Sequence, residues 1–109
     1  MIVVSDTTPI ISLMKAGQLE LLRQLFGVVY IPEAVYRELT DNEAFSEEVK
    51  MVRECEYLYV QKVGNGKSVT ILQNFTGLDA GESEAIILAD EMNSDVLLMD
   101  EHKGRHCLP

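Results

Sequence analysis

What most constrains this chain is a set of three short apolar runs, each delivering a carboxylate where a strand or loop meets a helix. Ile2-Val3-Val4-Ser5 runs into Asp6, and Val96-Leu97-Leu98-Met99 runs into Asp100 with Glu101 behind it. A third run, Gly77-Leu78-Asp79-Ala80-Gly81, delivers Glu82 at a helix start. The first and second of these, the first β-branched, read as buried strands. The stretches between them carry apolar residues at helical spacing, so strands alternate with helices. That alternation predicts an α/β fold with a largely parallel sheet covered by helices on both faces. Parallel strands present their C-terminal ends along one edge, where such sheets bind ligands. Acids remote in sequence can meet there. Their mutual repulsion requires a proton or a cation, and an all-oxygen donor set suits Mg²⁺ or Mn²⁺.

The local signals fill in this pattern. Thr7-Thr8-Pro9 marks a helix start, with Thr8 expected as N-cap and Pro9 at the first helical position. Ile10, Ile11, Leu13 and Met14 give that helix its apolar face, and Gly17 closes it. Leu19, Leu22, Leu25 and Phe26 line a second helix that closes at Gly27, and Val28 to Ile31 form the next strand. Pro32 restarts a helix in which Ile31, Val35 and Leu39 share a stripe with Glu38 beside it. Residues 43–54 suggest an exposed amphipathic helix, and Tyr57 to Val63 a third strand. Gly64-Asn65-Gly66-Lys67 signals a turn, followed by a short helix over 68–75. Asp79 and Glu82 have capping-box spacing ahead of Ala85-Ile86-Ile87-Leu88-Ala89. Five consecutive apolar residues there predict a helix buried on most of its circumference. The last strand runs from Asp95 to Met99. Only Glu101 to Pro109 follow it, too few to add a covering helix, so the fold is expected to be truncated at its C-terminal end.

At 109 residues the chain is expected to be one domain, 1–109, burying roughly 65% of the surface exposed when unfolded. Its composition, 47% apolar and 25% charged, places it with ordinary soluble globular proteins. No apolar run approaches the ~20 residues of a membrane span, and the first residues lack the basic region of a signal peptide. A cytoplasmic location follows as the expectation, with no membrane partner. Cys55 and Cys107 lie far apart without metal-ligand spacing and read as reduced thiols. The net charge of −9 argues against a broad basic nucleic-acid-binding face. It leaves a nuclease open, because metal ions at an acidic site supply positive charge locally. His102, Lys103, Arg105 and His106 gather just past Asp100-Glu101, either as cations beside the acidic edge or as a solvated chain end.

Each acid has a plainer reading beside the functional one. Asp6 could simply cap a helix. Glu38 could point to the sheet edge or lie in solvent beside Arg37. Glu82 could serve the capping box alone. Glu82 and Glu84 lie about 200° apart on a helical wheel and cannot both face one pocket, so Glu82 is taken as the inward acid and Glu84 as a neighbour in support. Asp100 directly follows an apolar strand, which puts it at the sheet edge. Phosphate-binding glycine loops, a GxSxG elbow and HExxH spacing are all absent from the sequence.

Taken together these segments resemble the PIN domain family, and most closely its VapC-like branch. The stretch Val4-Ser5-Asp6-Thr7-Thr8-Pro9-Ile10-Ile11-Ser12-Leu13 is similar to the family's opening pattern. Phe26 through Leu39, Gly77 through Ile86 and Leu97 through Arg105 follow in the family's order. The resemblance implies a three-layer α/β/α fold and a Mg²⁺- or Mn²⁺-dependent ribonuclease site. Asp6, Glu38, Glu82 and Asp100 match the family's catalytic acids, with Asp6, Glu82 and Asp100 as metal ligands. Glu101 stands where some members carry a second Asp. RNA is the implied substrate, a small antitoxin an implied protein partner, and a homodimer the expected state. Family members usually continue with a further helix and strand, and this departure frames the alternative: a truncated or inactive PIN-like module serving as a dimerisation or binding unit. A phosphotransfer pocket of the response-regulator kind fits less well, since Lys103 lies beyond Asp100 rather than at the end of a later strand.

Overall fold

The computed structural model describes residues 1–41 and 46–100. Four strands, β1 (Val3–Ser5), β2 (Val29–Pro32), β3 (Leu58–Gln61) and β4 (Val96–Leu98), form one sheet in the order β3-β2-β1-β4. Every pairing is parallel. Among the described residues six helices connect them: α1 (Thr7–Lys15), α2 (Glu20–Phe26), α3 (Glu33–Thr40), α4 (Ser46–Glu54), α5 (Gly66–Thr76) and α6 (Ala80–Glu91). Val4 pairs with Tyr30, and Ser5 with Leu98. The C-terminal ends of β1 and β4 therefore stand side by side.

The pleat sends alternate side chains to opposite faces, and the two faces carry unequal cores. Val3, Val29 and Ile31 pack with Ile10 and Met14 of α1, Leu22 of α2, Val35 and Leu39 of α3 and Val52 of α4. The opposite face buries only Val4, Ala85 and Leu88 fully, with Tyr30, Val63, Met92 and Leu97 partly covered around them. One layer is thick and the other rests on α6.

Several expectations are corrected. α1 begins at Thr7 with Asp6 as its N-cap, not at Pro9 behind a Thr8 cap. Proline is accommodated because first-turn N–H groups have no intrahelical partner. β3 stops at Gln61, which pairs with Pro32, the last residue of β2, and Val63 beyond it packs on the α6 face. α5 is longer than expected: Asn65 caps its start by accepting from the Ser68 N–H at 3.1 Å, and Gly77 ends it in a left-handed conformation. Glu91 accepts from the Gly64 and Asn65 N–H groups at 2.9 and 2.8 Å, pinning the glycine turn to the end of α6. α6 meets its expectation: from Gly81 to Ala89 every residue is buried or half-buried, so the helix is covered on most of its circumference. Residues 43–45 of the expected acidic helix, and everything from Glu101 onward, lie outside the described residues.

Candidate active site

The Asp6 backbone stays extended at φ −80°, ψ 176°, and its N–H donates to the Leu98 carbonyl at 2.8 Å. Strand β1 therefore carries the residue to the sheet edge before the chain turns into α1. Its side chain is 1% exposed and makes no capping hydrogen bond. Capping is thus not what buries this carboxylate. Asp100 follows Leu98 by two residues at the same edge and is half-buried.

Glu82 reaches the edge on the first turn of α6 and is 5% exposed. The capping box is present. The Glu82 N–H donates to Asp79 Oδ1 at 2.8 Å, while the return bond, Asp79 N–H to Glu82 Oε1, is 3.4 Å. That second distance is beyond the usual N–H···O range. The backbone half of the box is strong and the side-chain half weak.

Glu38 lies on the last turn of α3 and is exposed as a residue, yet its carboxylate has a defined position. The Thr7 hydroxyl donates to its Oε2 at 2.7 Å. The carboxylate also rests against Gly81: a β-carbon there would fall on Oε1, 2.9 Å from Cδ and 3.1 Å from Oε2. Gly81 does not have positive φ, so its backbone does not demand glycine, although glycine within a helix costs about 1 kcal/mol relative to alanine. Space demands it. Thr7 adjoins Asp6, and Gly81 adjoins Glu82. Glu38 therefore bridges the two chain segments that carry the buried acids.

Arg37 does not pair with Glu38. Its guanidinium reaches Glu84 Oε2 at 3.9 Å, and the Ala34 N–H donates to Glu84 Oε1 at 3.2 Å. Glu84 thus fastens α6 to the start of α3, where a carboxylate suits the positive end of the helix dipole. The helical-wheel divergence of Glu82 and Glu84 holds. Glu101, His102, Lys103, Arg105 and His106 lie outside the described residues.

Among the described residues, no three of His, Cys, Asp and Glu are gathered closely enough to hold a metal ion. The donor chemistry nevertheless fits a hard divalent cation. Asp6 and Glu82 bring oxygen donors, both buried beyond nine-tenths, to neighbouring segments of one edge. Thr7 and Gly81 are the residues that sequence reasoning missed. The available signal was a glycine inside the first turn of a capped helix, where alanine would be the better helix former.

A separate open cavity of about 850 Å³ lies at the other end of the sheet, before the starts of β2 and β3. Leu19, Arg23, Met51, Cys55 and Tyr57 line part of it. Burial there, with a hydrogen bond to Cys55, pushes the Tyr57 hydroxyl up to about 12. None of the acids described above lines this cavity.

The class that emerges is an α/β fold with a parallel sheet and an acidic C-terminal edge. A family model described as a PIN domain matches residues 2–108, and the chain belongs to that family. PIN domains are typically nucleases and generally use divalent metal ions. No curated protein matched the sequence. No helix among the described residues is long and apolar enough to cross a membrane.

Proposed function

We propose that this chain is a divalent-metal-dependent endoribonuclease of the VapC type, hydrolysing phosphodiester bonds in single-stranded RNA. The observation that carries the reading is the Glu38 bridge, which ties the Asp6 segment to the Glu82 segment at the C-terminal edge of the sheet. Asp6, Glu82 and Asp100 would hold Mg²⁺ or Mn²⁺, directly or through water. Such an ion, when bound, acidifies an attacking water and offsets charge gathering on the phosphate. Glu38 orients that water or takes its proton, a task that needs a carboxylate held within hydrogen-bonding reach. Lys103 and Arg105 steer the phosphate backbone toward the edge. In the same reading a small antitoxin protein masks the acids with a basic side chain, the chain works in the cytoplasm, and it acts as a homodimer.

The test is incubation of unstructured and structured RNAs with Mg²⁺ or Mn²⁺. Cleavage is expected only with metal, abolished by EDTA and by Asp100→Asn. Persistence in Asp100→Asn would point to a contaminating nuclease. The second reading, an inactive PIN module used for binding or dimerisation, draws on the absence of a gathered three-ligand group among the described residues. It predicts no cleavage by folded protein at any metal concentration.

A further inference from the structure

We infer that Thr7 and Gly81 are positioning residues that fix the Glu38 carboxylate at the acidic edge. This inference rests on the nuclease reading above. Glu38 sits on an exposed helical surface, where a glutamate with three rotatable side-chain bonds ordinarily samples many orientations. Here two neighbours from other elements restrict it. The Thr7 hydroxyl, on a residue 8% exposed, donates to Oε2 at 2.7 Å. On the other side the first turn of α6 comes close enough that Gly81 cannot carry a β-carbon without displacing the carboxylate. The hydroxyl sets the carboxylate's direction and the missing methyl leaves it room.

A group acting on an attacking water gains its advantage from being held in reactive geometry before the substrate arrives. Positioning loss therefore falls on turnover rather than on RNA binding. Gly81→Ala and Thr7→Val should each lower kcat by about 10- to 100-fold, with KM moving by less than about threefold. Thr7→Ser, which keeps the hydroxyl, should restore most of the loss.

The deciding experiment is a double-mutant cycle between Gly81→Ala and Glu38→Ala, read by both kcat and Tm. If Gly81 acts through Glu38, Gly81→Ala costs nothing further in kcat once Glu38 is alanine. The Tm response should differ between the two backgrounds. Gly81→Ala is less favourable to Tm when the carboxylate is present and must move than when it is gone, where alanine acts simply as the better helix former. Gly66→Ala is the control: its β-carbon meets open space, so cleavage stays unchanged. Equal fold-losses from Gly81→Ala in both backgrounds would overturn the inference. So would a Tm difference between the backgrounds with no change in kcat, which would reduce the contact to packing. Should Gly81→Ala fail to fold, the Thr7→Val and Thr7→Ser pair decides by itself: kcat alike in both would overturn it. A folded wild type that cleaves no RNA sinks the nuclease reading and the inference with it, while the Tm cycle alone still tells whether the contact exists.

Discussion

Asp6 and Glu84 show how far a single carboxylate can be read before its neighbours are known. A buried ionised carboxylate is costly unless paired or compensated by a cation. Its place behind an apolar strand marked Asp6, and the structure finds it 1% exposed at the strand's end. The wheel argument separated Glu82 from Glu84 because helical rotation per residue is fixed. Thr7 was not legible, and Gly81 only as an unexplained glycine in a helix's first turn, since their importance depends on Glu38, which is 31 residues from Thr7 and on a different helix from Gly81. Space is a tertiary quantity. Glu84 yields a prediction at this scale. Glu84→Gln should weaken the fastening of α6 to α3 by about 1 kcal/mol, seen as a small fall in Tm, while RNA cleavage is retained. A loss of cleavage as large as that of Asp100→Asn would contradict the division of labour between Glu82 and Glu84.

Among the elements, strand and helix order was legible almost throughout, because apolar runs and helical stripes each follow from one period. Boundaries were less so. Val63 continued the apolar pattern of β3, yet the strand ends at Gln61 because its partner β2 ends at Pro32, which the residues of β3 alone do not show. Strand neighbours were equally hidden: nothing in β4 itself says that it lies beside β1. The start of α6 was legible from Asp79 and Glu82, and the backbone half of that cap carries most of it. Asp79→Ala should therefore destabilise the protein by about 1 kcal/mol, which corresponds to a fall of roughly 4–8 °C in Tm for a domain of this size. Calorimetric melting checks this. An unchanged Tm would mean that α6 is held by its packing on the sheet alone.

For the whole molecule, the two unequal cores matter most. All three residues of β4 are only half-buried, and α5 displays Ile71 and Phe75 one helical turn apart, Phe75 at 87% exposure. Contiguous apolar surface of this kind marks association sites, and a two-fold dimer is the commonest outcome. Light scattering at micromolar concentration should give the mass of a dimer. Phe75→Asp should shift it toward the monomer if α5 contributes to the contact. A monodisperse monomer with a cooperative thermal transition would show that the thin α6 layer closes the core without help.

The central claim is that Asp6, Glu82 and Asp100 form one metal-binding edge. Calorimetric titration of Mn²⁺ and Mg²⁺ into the purified chain, beside Asp6→Asn, tests it most directly. The wild type should bind saturably at one or two ions per chain, and Asp6→Asn should bind at least 10-fold more weakly, a difference of about 1.4 kcal/mol. Equal binding by the two proteins, or no saturable binding by the folded wild type, would contradict the account.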